Sequence, residues 1–242
     1  MALPKIDSPV FDLELPLSKK KIKFRPFLVK EQRNLLMAME SDDSASIEQN
    51  IKQVLVNCTV SGDFDINKLP VLDVEYYFLN LRARSVGEVV ENKYRCDNEN
   101  QMGEKCGNIM DVQLNILDIK VENVKENQDI IEITDKISIK LKYPEFSVIT
   151  RLSALTNMNE VAFEMIADSI EYIYDGEQFY YTKEIPHQEV VEFVESLNQK
   201  QFEKVEEFFA NLPVLSKKVE MKCSRCGFEH TMNVEGLESF FG

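Results

Sequence analysis

Two cysteines stand close together in Lys222-Cys223-Ser224-Arg225-Cys226-Gly227, with the two-residue spacing of a tight metal chelate. A second pair, Cys96 and Cys106, lies about half a chain earlier and also ends in Cys-Gly. Four thiolates suit tetrahedral zinc, and a site ligated only by protein is structural because no position stays open for a substrate. The sequence therefore predicts one zinc site, formed by Cys96, Cys106, Cys223 and Cys226, that ties together distant parts of the chain.

Three other interpretations of these cysteines stay open. His230 lies four residues after Cys226 and could replace one cysteine as a ligand. A redox role for Cys223 and Cys226 would place the first thiolate at a helix N-terminus, whereas the pattern predicts strands on both sides. The thiols could also stay reduced and free of metal. Cys58 is a separate case, because it falls on the apolar stripe of a predicted helix and is expected to be an inert buried thiol.

The segments around the cysteine pairs form two related halves. The first half has a strand, a proline, two helices, a break, a third helix and two strands that flank the cysteines. These features are marked in the sequence by the strand over 20–25, Pro26, a helix over about 29–41, the break at 61–63 and Pro70. The second half repeats this order, with a strand over 137–143, Pro144, helices over about 146–155 and 159–174, a break at 175–177, and helices near 187–197 and 199–211. The prolines, the breaks and the Cys-Gly motifs fall at matching positions in the two halves. An internal duplication explains this match better than a chance alternation of helices and strands.

The predicted fold class is therefore α+β. We expect two pseudo-repeated lobes of helices and short antiparallel strands, joined by a four-cysteine zinc-knuckle site. The first lobe covers residues 1–117 and the second covers 131–242. Residues 118–130, which are rich in Glu, Asn and Lys, are the predicted connector.

Composition and the N-terminal sequence indicate the cellular compartment of the protein. The 242 residues are 44% hydrophobic, which is enough for a substantial core, and no apolar run approaches the roughly 20 residues that span a bilayer. The N-terminal residues lack the basic and apolar regions of a secretion signal. We therefore expect a cytoplasmic protein with no membrane insertion, where disulfides are disfavoured and paired cysteines more often hold metal.

The net charge of −14 argues against nucleic-acid binding, which relies on Lys and Arg to neutralise phosphates. One basic segment stands out, and it contains Lys19, Lys20, Lys21, Lys23, Arg25, Lys30 and Arg33. It is either a solvated strand and helix face or a docking patch for an acidic partner. A zinc-ribbon regulator that binds nucleic acid stays as the alternative function, because Lys217, Lys218, Lys222 and Arg225 lie near the second cysteine pair, although three glutamates dilute them.

Catalytic motifs are missing from the sequence. It contains no Gly-rich phosphate loop, no His-Glu-x-x-His helix and no Gly-x-Ser-x-Gly elbow. Of the two histidines, His187 fits the first turn of a helix and has no sequence neighbour that suggests a triad. We therefore predict no enzyme and no small-molecule substrate, and a carboxylate-dependent hydrolase is kept as a third possibility because that chemistry leaves no sequence motif.

Several stretches near the N-terminus carry a resemblance to a known family. They are Met1-Ala2-Leu3-Pro4-Lys5, Leu13-Glu14-Leu15-Pro16, Phe24-Arg25-Pro26-Phe27-Leu28-Val29-Lys30-Glu31-Gln32 and Leu35-Leu36-Met37-Ala38. Together they resemble the baseplate hub proteins of T4-like tailed bacteriophages, most closely the versions in marine phages. The resemblance is strongest over residues 1–41, and the cysteine pairs and chain length also fit.

The resemblance implies a role in the baseplate hub of a contractile tail, as a hub subunit or as a factor that assists hub assembly. It implies other hub and tail proteins as partners, and a location in the host cytoplasm during assembly or in the virion tail baseplate. It supplies no catalytic residues. On this interpretation, the basic segment over 19–33 and the terminal Leu237-Glu238-Ser239-Phe240-Phe241-Gly242 are candidate contacts with other hub subunits.

Overall fold

A computed structural model describes residues 6–40, 44–99, 102–123, 129–152, 155 and 157–235. Within these ranges the chain is α+β, and all paired strands are antiparallel. None of the helices in these ranges is both long and apolar enough to cross a membrane.

The first unit is a three-stranded sheet covered by helices. Its elements are β1 (Phe11–Glu14), β2 (Lys21–Phe24), α1 (Val29–Met39), α2 (Ser44–Cys58), β3 (Thr59–Ser61) and α3 (Val71–Val86), with the sheet order β1-β2-β3. Strand β2 alternates as the sequence predicts, because Ile22 and Phe24 are buried while the lysines between them are exposed. The ring of Phe24 packs edge-on against the buried ring of Tyr77 on α3, and this contact lies in the core of the unit.

The first cysteine pair lies on a hairpin that follows α3. Its strands are β4 (Val89–Arg95) and β5 (Ile109–Asn115), and the short strand β6 (Lys120–Glu122) comes next. Val112 and Leu114 alternate inward on β5. Strand β6 lies inside the segment predicted as a connector, so part of that segment is paired structure.

The second unit resembles the first in element order. It contains β7 (Ile130–Glu132), β8 (Ser138–Leu141), α4 (Phe146–Leu152), α5 (Met158–Ser169), β9 (Ile170–Tyr174), β10 (Phe179–Tyr181), α6 (His187–Glu195) and α7 (Gln199–Ala210), with the sheet order β10-β9-β8-β7. Its core centres on Ile139, Leu141, Ile170 and Val205, while Phe146 of α4 packs in the core of the first unit.

The second cysteine pair lies on a hairpin of β11 (Val214–Lys222) and β12 (Glu229–Glu235). Strand β11 also pairs with β6, so the sheet order is β12-β11-β6. Apolar residues from both cysteine hairpins and from α3 share one core, which includes Leu79, Val90, Leu114, Leu215 and Val234. The two hairpins therefore pack together against α3 of the first unit.

One predicted helix is wrong in its last part. The sequence predicts a single helix over about 159–174, but α5 ends at Ser169 and residues 170–174 form β9. Ile170 and Ile173 continue the apolar stripe of the helix, yet the run Ile-Glu-Tyr-Ile-Tyr is β-branched and aromatic and pairs with β8. Long-range pairing therefore overrides the local helical period.

Candidate metal centre

The first cysteine pair forms a closed turn at the end of the β4–β5 hairpin. The backbone N–H of Cys96 donates to the carbonyl of Asn108 at 2.8 Å, and the N–H of Gly107 donates to the carbonyl of Cys96 at 2.9 Å. Gly107 has φ of 64°, which a glycine adopts without a steric penalty. This conformation returns the chain beside Cys96, so the sulfurs of Cys96 and Cys106 face the same side.

The second pair repeats this bonding pattern within a shorter loop. The N–H of Cys223 donates to the carbonyl of Phe228 at 2.8 Å, and the N–H of Gly227 donates to the carbonyl of Cys223 at 2.9 Å. Gly227 has φ of 75°. Each pair is therefore held by the same two backbone bonds, although nine residues separate the first two cysteines and two residues separate the second two.

The four sulfurs lie together in the dimensions of a tetrahedral site. The Sγ atoms of Cys96 and Cys226 are 3.7 Å apart, those of Cys106 and Cys223 are 3.8 Å apart, and all four lie within 4.8 Å of one another. Disulfide sulfurs would be about 2.05 Å apart, so these thiols are not bonded to each other. A tetrahedron with Zn–S bonds of about 2.3 Å has edges of about 3.8 Å, so the donor set fits zinc.

Hydrogen-bond donors surround the sulfurs unequally. Backbone N–H groups of Cys226 and Arg225 lower the pKa of Cys223 to about 6, while burial raises the pKa of Cys96 to about 12. The side-chain amide of Asn108 also approaches the Cys223 sulfur at 3.5 Å. The loops thus favour the anionic form of Cys223, whereas at Cys96 burial outweighs the hydrogen bond from the backbone N–H of Asn98 and favours the neutral thiol.

His230, the alternative ligand, lies beside the site. Its Nε2 is 3.1 Å from the Sγ of Cys96, and its Nδ1 is 3.5 Å from a carboxylate oxygen of Asp97. The structure therefore brings together the four cysteines predicted from the sequence and places the histidine in contact with one of them. Sequence reasoning missed Asn98 and Asn108, because no spacing rule identifies an amide that approaches a sulfur through a loop.

The chain matches a known protein family over most of its length. The model of the family described as T4 bacteriophage base plate protein matches residues 8–242. The chain belongs to this family. It is also similar to the Baseplate hub assembly protein gp26 of Enterobacteria phage T4, with 22% identity over 232 residues, 96% of this chain and 97% of that protein. No solved structure matches the chain.

This member of the base plate family has a second cluster of possible ligands, on α5 and α6. Nε2 of His187 is 2.8 Å from Glu164, and its Nδ1 is 3.6 Å from Asp168. Arg151 on α4 pairs with both carboxylates. A guanidinium already neutralises these acids, so the cluster forms an ion-pair network that joins three helices. It is therefore a poorer metal site than the four sulfurs.

The fifth cysteine of this family member, Cys58, lies at the end of α2 and is fully buried. Burial raises its pKa to about 11, so it stays a neutral thiol near pH 7. The guanidinium of Arg25 lies 3.7 Å from its sulfur and also pairs with Glu31. These surroundings agree with the expected inert thiol.

Proposed function

We propose that this chain works in the baseplate hub of a contractile phage tail, as a hub subunit or as a factor that assists hub assembly. The observation that carries the proposal is the match of the family over nearly the whole chain. The relative from phage T4, which is called a hub assembly protein, aligns over nearly the whole of both chains. In this role the chain acts through contacts with other hub and tail proteins rather than through turnover of a small molecule.

The outer face of α1 is a candidate contact with such a partner. Val29, Arg33, Leu36 and Met37 lie at helical spacings of four, seven and eight residues, and all four are exposed. Within the described residues Arg33 has no ion pair. An exposed stripe that combines apolar side chains with a cation suits the apolar face of an acidic partner.

The basic segment predicted from the sequence divides into paired and unpaired residues. Lys21 and Lys23 pair with Glu14 and Asp12 across the β1–β2 ladder, and Arg25 and Lys30 pair with Glu31. Lys19 and Lys20 lie exposed in the turn between β1 and β2 without an ion pair in the part of the chain that the structure describes. We assign partner binding to this turn and to the α1 face. The terminal aromatic residues over 237–242, which the sequence also suggested, lie outside the described residues.

We further propose that Cys96, Cys106, Cys223 and Cys226 bind one structural zinc ion. The sulfur spacing supports this assignment, as do the two backbone-bonded loops and the donors around Cys223. Bound zinc would supply a tetrahedral cation that neutralises thiolates, and its binding energy would contribute to folding. Each hairpin alone offers two ligands, so the ion would hold the two hairpins together.

We also propose that the two lobes, over residues 1–117 and 131–242, arose by duplication and are linked by residues 118–130. Matching irregularities support this history. Between β2 and β3 the register shifts after the pair of Lys23 with Ser61, and between β8 and β9 it shifts after the equivalent pair of Lys140 with Tyr172. In both units the residue that follows the strand donates its N–H to the last residue of the second helix, at 2.9 Å in the first unit and 2.7 Å in the second.

The alternative of a zinc ribbon that binds nucleic acid is less well supported by the charges around the site. Lys217, Lys218 and Lys222 each pair with a carboxylate of this chain, at 2.7 to 3.0 Å. Arg225 donates to the carbonyl of Cys106 at 3.0 Å. These cations are already engaged and leave little charge free to neutralise phosphates.

The test is a phage in which this gene is interrupted. We expect infected cells to accumulate tail parts without complete baseplates, because the hub does not form. Normal yields of infectious particles would overturn the proposal. Mass spectrometry of purified particles and of lysates then separates a hub subunit, which stays in the virion tail, from an assembly factor, which stays in the host cytoplasm.

A variant pair tests the proposed contact surface in the same phage. Arg33→Glu combined with Met37→Glu replaces a cation and an apolar side chain of the α1 face with two carboxylates. This double variant is expected to block baseplate completion. Gln199→Glu combined with Lys200→Glu places the same charge change on the exposed start of α7 and is the matched control. Equal yields from the two variants would exclude the α1 face as a contact.

A further inference from the structure

We infer that His230 is a positioning residue for the metal centre, donating its Nε2–H to the sulfur of Cys96 without itself binding the metal. The inference rests on the proposed zinc site. It assigns a role to the histidine that lies beside the sulfurs, with its Nε2 within hydrogen-bond distance of a buried cysteine sulfur.

The distance between histidine and sulfur separates a donor from a ligand. Zn–N bonds of about 2.05 Å and Zn–S bonds of about 2.3 Å at a tetrahedral angle would place the two ligand atoms about 3.6 Å apart. Nε2 of His230 is only 3.1 Å from the Sγ of Cys96. That separation is too short for two neighbouring ligands and suits an N–H donor aimed at a sulfur.

The surroundings of His230 hold the ring in this orientation. The side chain is buried, and its ring packs edge-on against Tyr94 at 5.3 Å and Phe228 at 4.8 Å between centroids. Nδ1 faces Asp97 at 3.5 Å, which is longer than a good hydrogen bond, so we place the ring proton on Nε2, which is closer to its partner. A ring held on two sides cannot turn away from Cys96 without repacking.

Cys96 is one of the two buried sulfurs of the site, where a hydrogen-bond donor has the largest electrostatic effect. Four thiolates around one zinc ion carry a net charge of −2, and both Cys96 and Cys223 are almost fully buried. Cys223 has the side-chain amide of Asn108 as an additional donor. The side-chain N–H donor that reaches the Cys96 sulfur among the described residues is His230. A donor at this atom disperses thiolate charge where burial opposes it.

The first hairpin provides a matched position without a donor. Met110 lies four residues after Cys106, as His230 lies four residues after Cys226. In the strand ladders Met110 pairs with Tyr94, and His230 pairs with Met221. Met110 is also buried and packs in the apolar cluster that contains Cys96 and Cys223. The two positions therefore share location and burial and differ in the N–H group.

The experiment compares His230→Phe with Met110→Leu in the full chain loaded with Co²⁺. For wild type we expect the d–d absorption of a four-sulfur tetrahedral site. His230→Phe keeps a ring but removes the donor, and we expect the same d–d pattern, a sulfur-to-metal charge-transfer band at lower energy, and a roughly 10- to 100-fold weaker affinity for Zn²⁺ by chelator competition. His230→Gln restores an N–H and should recover part of both changes, while Met110→Leu should change neither.

Three results would overturn the inference or its basis in distinguishable ways. Equal spectra and affinities for His230→Phe and Met110→Leu would show that the donor has no effect. A three-sulfur, one-nitrogen spectrum in wild type that is lost in His230→Phe would make His230 a ligand. A wild-type protein that binds neither Co²⁺ nor Zn²⁺ would remove the proposed zinc site itself.

A second measurement needs no variant and applies if His230→Phe does not fold. In wild-type protein loaded with cadmium-113, we expect a small coupling between cadmium and the ring proton on Nε2 of His230, transmitted through the hydrogen bond to sulfur. A large one-bond coupling between cadmium and a ring nitrogen would contradict the inference, and so would the absence of any coupling to this ring.

Discussion

Asp73 anchors the turn that carries Lys19 and Lys20, and its removal gives a sharp test of the first unit. The side chain is fully buried in the first turn of α3. One carboxylate oxygen accepts the backbone N–H of Leu17 and the other accepts that of Ser18, both at 2.8 Å. These two bonds attach the β1–β2 turn to α3, so the proposed contact turn depends on this carboxylate.

The expected cost of Asp73→Ala follows from these bonds. A hydrogen bond to a charged group contributes about 1.5–3 kcal/mol, and two such bonds give about 3–6 kcal/mol. Leu17 and Ser18 are only partly buried, so water replaces part of the loss and the expected destabilisation is about 3–4 kcal/mol. Asp73→Asn keeps one acceptor and should cost less than the alanine variant.

The assay is urea unfolding of the purified proteins followed by circular dichroism. Asp65→Ala is the matched control, because Asp65 is exposed and its carboxylate accepts a backbone N–H of Asn67 at 3.0 Å in a short helical turn. The loss of such a cap costs about 0.5–1 kcal/mol. If the two alanine variants lost the same stability, Asp73 would not be the anchor of the turn.

Two further predictions concern pH. Burial raises the pKa of Glu75 to about 7, so its ionised form opposes folding and the contribution of this residue to stability falls as pH rises from about 4.5 to 7. Glu75→Gln should therefore be more stable than wild type by about 3 kcal/mol at pH 8 and nearly equal to it below pH 4.5, whereas a constant difference across this range would contradict the assignment. For Glu164, burial would raise the pKa, but hydrogen bonds from Arg151 and His187 outweigh burial and lower it. The ionised carboxylate therefore stabilises the fold at pH values above the ordinary pKa of glutamate, and this stabilisation is lost as the pH falls. Glu164→Gln should reduce the acid-induced loss of stability, measured as the difference in urea midpoint between pH 6 and pH 3, and an unchanged difference would refute this role for the network.

Local patterns predicted the parts of the fold that depend on local chemistry. The buried Ile22 and Phe24 on β2 follow from alternation, and the two cysteine turns follow from the Cys-Gly motif and its spacing. Ile170 and Ile173 also fit a helical period, and only their pairing with β8 makes them part of a strand. Short strands such as β6 give little signal, because their partners lie about ninety residues away.

The candidate metal site likewise contains residues that the sequence predicts and residues that it does not. The sequence predicts the four sulfur ligands, because metal chelation imposes spacing on cysteines. It does not predict which side chains donate to those sulfurs, since Asn98, Asn108 and His230 reach them through loop geometry and packing between two hairpins. The ion-pair network around Arg151 is likewise assembled from three helices and has no sequence motif.

The most direct test of the central claim is the metal content of the purified chain together with its effect on stability. We predict one equivalent of zinc by elemental analysis, a large fall in melting temperature after chelation, and a similar fall in Cys223→Ser, whereas Cys58→Ser should retain the metal. Metal-free protein whose melting temperature is unchanged in Cys223→Ser would contradict the claim that zinc holds the two halves together.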